Sequence, residues 1–220
     1  MMTDVHVSGL ARARRTEATD VLARAFHADP VYRRLVPDPR RRACVLRELF
    51  RLAVSDATRF GAVDVATVGD RLLGVAVWLA PGRFPMTAGR KLRTLPGLLA
   101  MLRAAPRSFA DVTRLGAGIA AAHPREPSWY LQAMGVDPTA QRQGVGDRLL
   151  AHGLARADRM QRPATLETAV PAAAALYERF GFDSTREDLR LVADGPAHQV
   201  LRRPAAADPS RPPQPEGARP

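Results

Sequence analysis

The sequence predicts a single α+β domain, and three stretches predict it. Ala62–Thr67 and Arg71–Leu79 read as strands about a Gly69-Asp70 pair, a strong hairpin signal. A strand-like run, 128–136, passes through a glycine-containing loop into a helix-like run, 145–161. Ala164–Thr168 then reads as a short strand, and Pro171 opens a helix, where a fixed φ suits the first position. At 220 residues and 46% hydrophobic, the chain is long enough for one domain with a full core.

The remaining elements follow in order. A short strand is expected around Val5–Leu10. Thr16 is placed to cap a helix with Glu17 and Asp20 in its first turn, and Ala18, Val21, Leu22, Ala25 and Phe26 recur at helical spacing. His27-Ala28-Asp29-Pro30 breaks that helix, and Tyr32–Val36 reads as a short turn. Arg40–Phe60 is a long helix with Val45, Leu46, Leu49, Leu52 and Ala53 inward. Arg71–Leu79 is nearly all apolar, as a central strand is.

Residues 83–123 look helical. Leu92, Leu95, Leu99 and Leu102 share one face and Val112, Leu115 and Ile119 another, with Pro96 and Pro106 as interruptions. Strands near Asp183–Val192 and His198–Arg202 close the fold. Residues 1–203 thus form one domain with 83–123 as a helical insertion, and the Pro-, Ala- and Arg-rich tail, 204–220, is expected to be disordered.

Composition narrows the class. The formal charge is +11, nearly all of it arginine, since Lys91 is the single lysine. The skew matches compositional drift plus a solvated basic surface, and it also favours a phosphate-rich ligand. No basic stripe interleaved with aromatics points to nucleic acid, so none is expected. Cys44 is the single cysteine, so no intramolecular disulfide forms, which suits a reducing, cytoplasmic setting. The longest apolar run, Leu72–Pro81, is too short to span a bilayer, and no membrane partner is expected.

The loop Gly135–Gly146 carries the chemistry. Glycines at 144 and 146 stand where a strand gives way to a helix, so backbone N–H groups and the helix dipole favour an anion there. Arg142 adds a fixed positive charge, and the simplest guest is a pyrophosphate. The loop lacks GxxxxGK[ST] and GxGxxG, which excludes the P-loop and the dinucleotide fingerprint. Gln141-x-x-Gly144-x-Gly146 resembles the acyl-CoA loop of the GNAT N-acetyltransferases. Leu176-Tyr177-Glu178-Arg179-Phe180-Gly181-Phe182, about thirty residues on, resembles the LYxxxGF block that closes the GNAT core.

Within GNATs the chain looks most like the branch around puromycin N-acetyltransferase. The pieces that carry this are Ala25-Phe26-x-x-Asp29-Pro30, Val75-Ala-Val-Trp78, His123-Pro-Arg-Glu126-Pro127-x-Trp129 and Leu166-Glu167-Thr168. One departure stands out: that branch usually has an Asn four residues before the tyrosine, where this chain has Ala173.

The resemblance implies a GNAT fold: a mixed, mostly antiparallel twisted sheet of six to seven strands with helices on both faces. It implies acetyl-CoA as acyl donor and a small-molecule primary amine as acceptor, an antibiotic-like compound among the choices. The family's fourth and fifth strands splay at a bulge, and pantetheine enters as an extra strand. Met134 and Val136, flanking Gly135, would pair with it through their backbone. The N–H of Met134 would steady the thioester carbonyl. Gln141, Arg142, Gln143, Gly144, Val145 and Gly146 would hold the pyrophosphate.

Tyr177 is the natural proton donor to the departing thiolate; the plainer alternative is a core tyrosine with its hydroxyl at the surface. Glu167 is the favoured base, with His123, Glu126 or water alone as alternatives. Cys44 reads as a small buried residue and not a nucleophile. His6, His27, His152 and His198 show no metal-ligand spacing, so no metal is expected. A non-catalytic acyl-CoA-binding regulator on the same fold, and a basic nucleic-acid or ribosome binder, are the competing functions. A homodimer is left open.

Overall fold

The computed structural model describes residues 4–191 and 195–206. Seven strands form one sheet: β1 (His6–Gly9), β2 (Gly61–Val68), β3 (Arg71–Leu79), β4 (Trp129–Val136), β5 (Ala164–Thr168), β6 (Asp183–Leu189) and β7 (His198–Arg203). Their spatial order is β1-β2-β3-β4-β5-β7-β6. β4 and β5 run parallel and every other described pair is antiparallel. The mixed, mostly antiparallel GNAT sheet expected from the sequence is the one observed.

Among the described residues eight α-helices surround it: α1 (Arg15–Ala25), α2 (Pro30–Leu35), α3 (Pro39–Phe60), α4 (Ala88–Leu92), α5 (Leu95–Ala104), α6 (Pro106–Ala122), α7 (Val145–Arg159) and α8 (Pro171–Arg179). α1 and α3 bury Leu22, Leu46, Phe50 and Val54 against Val63, Val75 and Val77 of one sheet face. α7 and α8 bury Leu149, Leu150, Leu154 and Tyr177 against Leu73, Trp78 and Leu166 of the other. Alternation along β3 serves both faces at once, which is why its sequence is apolar almost throughout. α7 sits unusually close to the sheet. A Cβ on Gly153 would lie 2.4 Å from the Trp78 ring, so only glycine lets the helix rest on that indole.

Several local expectations change. Thr16 does not cap α1; the helix starts one residue earlier, with Arg14 at the cap position, and Glu17 instead accepts from the Arg14 guanidinium at 2.8 Å. The expected turn at Tyr32–Val36 is the helix α2, because the Asp29 carboxylate accepts from the N–H groups of Val31 and Tyr32, at 2.8 and 3.3 Å, and Pro30 fits the first turn. Pro96 and Pro106 begin helices instead of interrupting them. Cys44 is exposed, on the outer side of α3, so it is not the small buried residue expected.

The face of Leu92, Leu95, Leu99 and Leu102 points outward, with exposures of 65, 53, 45 and 38%. α5 packs through Gly97 and Met101 instead. A Cβ on Gly97 would be within 2.9 Å of the Leu52 side chain, so the close approach to α3 sets the helix's rotation. Val112, Leu115 and Ile119 of α6 do face inward. The expected strand near Asp183–Val192 ends at Leu189, and Val192, like residues 207–220 of the tail, lies outside the described residues.

Candidate active site

The sheet comes apart at its middle. β4 and β5 share two paired positions, Trp129 with Ala164 and Tyr130 with Thr165, and no more. Beyond them the strands diverge. The register of β4 against β3 slips between Trp78–Leu131 and Val77–Ala133, so Gln132 is the extra residue of a β-bulge. The bulge reverses the parity of β4. Before it Trp129 and Leu131 face α7; after it Met134 and Val136 do. A bulge bends its strand, and here the bend leaves the β5-side edge of β4 without a strand partner from Leu131 onward.

That free edge suits an extended guest. Asp137 N–H donates to Leu73 O at 2.7 Å, toward β3. Strand alternation then turns the backbone of Gly135 toward β3 and that of Met134 and Val136 toward the gap. One of those groups is already engaged, since the Gln141 amide donates to Val136 O at 3.1 Å.

The loop after β4 is held by Asp137. Its Oδ1 accepts from the Thr139 hydroxyl at 2.7 Å and from Thr139 N–H at 3.1 Å. Its Oδ2 accepts from both Nε and a terminal nitrogen of Arg24, at 2.9 and 2.7 Å. Burial opposes the charge of this carboxylate, yet the hydrogen bonds from Thr139 and Arg24 win and hold it below the usual range. Two left-handed residues, Arg142 (φ 60°) and Gly144 (φ 83°), then turn the chain into α7. α7 has no side-chain cap, so its first N–H groups are left for a ligand. The Arg142 side chain is exposed beside them.

The two sequence blocks meet. A Cβ on Gly146 would lie 3.6 Å from Leu176, 3.9 Å from Val136 and 4.0 Å from Met134. The start of α7, the end of β4 and α8 therefore converge, and Tyr177 follows Leu176 in the same helix. Tyr177 is buried, its ring 5.9 Å from that of Phe182, and burial pushes its hydroxyl well above the ordinary phenol pKa.

Glu167 lies on the opposite face. Ala164 and Leu166 point into the α7 core, so Thr165 and Glu167 point away from it. The Glu167 side chain is 3% exposed, and its Oε1 is 3.5 Å from Nδ1 of His123, itself 4% exposed. Neither Glu167 oxygen has a hydrogen-bond partner among the described residues, and neither does that His123 nitrogen.

Two further rings close around this pair. Phe84 and Tyr130 are 4.4 Å apart between centroids, and His123 stands edge-on to both at 4.8 Å. Burial, then the charge of Glu167, pushes the Tyr130 hydroxyl well above its ordinary pKa. Glu126, the other candidate base, is bound by Arg202 at the surface and does not join the cluster.

Phe84, Tyr130 and Asp137 were not singled out by the sequence. Phe84 had no local signal, since its partner lies forty-six positions away. Asp137 had one: an Asp-Pro-Thr step is the pattern of a carboxylate that binds the backbone two residues on. Among the described residues no group of three or more His, Cys, Asp or Glu side chains is arranged to hold a metal, and no helix is long and apolar enough to cross a membrane.

A divided sheet with an uncapped helix at the head of the gap has known counterparts. Residues 109–184 match the family described as acetyltransferase (GNAT) domain. Over those residues the chain is similar to a GNAT acetyltransferase domain.

Among solved structures, it is similar to a histone acetyltransferase HPA2 and related acetyltransferase from Corynebacterium glutamicum, at 28% identity and TM-score 0.71, over 94% of this chain and 99% of that one. It is similar in fold to arylalkylamine N-acetyltransferase 2 from Aedes aegypti (12% identity, TM-score 0.66, 92% and 99% covered). The same holds for the ribosomal-protein-S18-alanine N-acetyltransferase from Escherichia coli (19%, TM-score 0.55, 94% and 98%). The GNAT domain is that of acyl-CoA-dependent N-acetyltransferases, and its acyl donor is acetyl-CoA.

Proposed function

We propose that this protein transfers an acetyl group from acetyl-CoA to a primary amine of a small molecule, an antibiotic-like compound among the candidates. The observation that carries the reading is the gap between β4 and β5, with Glu167 on one face and Tyr177 on the other. The free edge of β4 at Met134–Val136 would take the pantetheine, and the backbone from Gln141 to Gly146 the pyrophosphate. Acetyl-CoA supplies the activated acyl group. The amine nitrogen attacks the thioester carbonyl carbon, a C–N bond forms and the C–S bond breaks. Glu167 takes the proton that nitrogen loses. Tyr177, kept protonated by burial, gives one to the departing sulfur. The Met134 N–H would stabilise the carbonyl oxygen as its charge grows.

The +11 charge fits a multiply phosphorylated donor, and a cytoplasmic location fits the single exposed cysteine. The likeness to the puromycin N-acetyltransferase branch supports a small acceptor over a protein one.

The test is thiol release from acetyl-CoA with a panel of primary amines, set beside calorimetric acetyl-CoA binding to wild type and Gly144→Asp. We expect turnover with some of the amines, and loss of donor binding in the variant with its melting temperature kept. Donor binding without thiol release on any amine would favour a non-catalytic acyl-CoA sensor. Unchanged donor affinity in Gly144→Asp would remove the loop from the site.

A further inference from the structure

Glu167 is an unusual expense for a fold. A buried carboxylate with no hydrogen-bond donor costs several kcal/mol unless a cation or donor satisfies it. Its ionisable neighbours are Tyr130, His198 and His123, whose Nδ1 sits at 3.5 Å and makes no hydrogen bond to it. Tyr130 is coupled to it by charge and through its hydroxyl, yet neither carboxylate oxygen is satisfied by a well-formed hydrogen bond. The carboxylate thus keeps acceptor capacity for a visitor, and the rings of Phe84, Tyr130 and His123 pack together beside it. Aromatic faces attract an ammonium and accept a flat apolar surface equally well.

The other acids near this end of the sheet are already committed. Asp29 caps α2. Glu126 is held by Arg202, and Asp56 by Arg90. A second ammonium on the same ligand would find no counter-charge, in a chain that already carries +11. A peptide acceptor would need backbone partners beside the amine, and the cluster offers rings instead.

We propose that the acceptor is a singly charged primary amine on a planar apolar body, its ammonium against Glu167 and its body along Phe84 and Tyr130. This rests on the transferase reading but is separable from it, because the site recognises the amine before any bond changes.

The experiment measures binding and turnover apart. With CoA present, 2-phenylethylamine, spermidine and an alanine-terminated tripeptide are titrated calorimetrically into wild type, Glu167→Gln and Phe84→Leu. Thiol release from acetyl-CoA is followed in parallel. We expect 2-phenylethylamine to bind at least about tenfold tighter than the other two. We expect Glu167→Gln and Phe84→Leu each to lose about tenfold of that binding, with acetyl-CoA affinity within twofold of wild type in both.

Binding of 2-phenylethylamine without acetylation would sink the transferase reading and leave the acceptor class standing. Spermidine or the tripeptide binding as tightly, no binding of 2-phenylethylamine at millimolar concentration, or undiminished binding in both variants would overturn the acceptor class. Unchanged melting temperature and acetyl-CoA affinity certify the fold of each variant, and Phe84→Leu keeps the test alive should Glu167→Gln prove unstable.

Discussion

Tyr177 and His198 show how burial sets chemistry one side chain at a time. Tyr177 has its pKa raised by burial alone, so it holds its proton through the whole physiological range. It can give that proton only as a stronger base forms beside it, which is what a departing thiolate is. We expect Tyr177→Phe to keep acetyl-CoA binding and lower turnover by about 10²–10⁴. Full turnover in single-turnover kinetics, with chemistry limiting, would remove the role.

His198 is pushed the other way. Burial lowers its pKa below the ordinary 6.5, outweighing backbone hydrogen bonds and the pull of Glu167. The folded state therefore binds this proton less readily than the unfolded chain does. The stability it contributes is complete above about pH 6.5 and drains away as the pH falls through the lower, folded-state value. Thermal melts between pH 7.5 and 5.5 should fall less steeply in His198→Gln than in wild type. Equal slopes would mean that other groups carry the acid sensitivity.

At the scale of elements, the β4–α7 loop owes its shape to Asp137 more than to its glycines. One carboxylate ties Arg24 of α1 to Thr139 and so fixes the path into the uncapped helix. We expect Asp137→Ala to weaken acetyl-CoA binding about tenfold, or about 1.4 kcal/mol, and to destabilise the fold by about 1–3 kcal/mol. Calorimetry and urea titration read the two effects. Affinity within twofold of wild type would show that the loop holds its shape unaided.

This loop and the strand before it were legible because their constraints are local: glycine at a turn, an apolar run, a helix start. α5 was not. Its leucines recur at helical spacing, which predicts a buried face, but the small face at Gly97 lets α3 approach closer than any leucine would. Proximity decided the rotation, and periodicity cannot see a partner. A bulge at the splay was expected from likeness to a family, but nothing in the residue type of Gln132 marks its place. Glu167 and His123 were each weighed as a base. Their meeting depends on two chain segments forty-four positions apart, a distance no spacing rule reaches.

The whole molecule is organised around Trp78 and the helix that lies on it. Adding a methyl at Gly153 pits two effects against each other. Alanine favours the helix by about 1 kcal/mol. Overpacking against a rigid, fully buried indole costs about 1–3 kcal/mol. The 2.4 Å approach leaves no room for a small adjustment, so overpacking wins, and Gly153→Ala should lower the urea midpoint. A higher midpoint would mean that α7 slides freely over the sheet and that glycine is not required there.

Stiffness in a sheet comes from its rungs, and here they are unevenly spent. β1 to β4 form one well-laddered panel with α7 lying across it, and β5 to β7 form another that carries α8. Two paired backbone positions, the Ser128–Thr165 hydrogen bond and the Glu126–Arg202 and Asp158–Arg203 ion pairs stitch the panels together. The backbone ladder is thinnest along that seam. The uncapped turn of α7 rides on one panel and Tyr177 on the other. A guest long enough to touch both would act as a splint across the place where the ladder is thinnest.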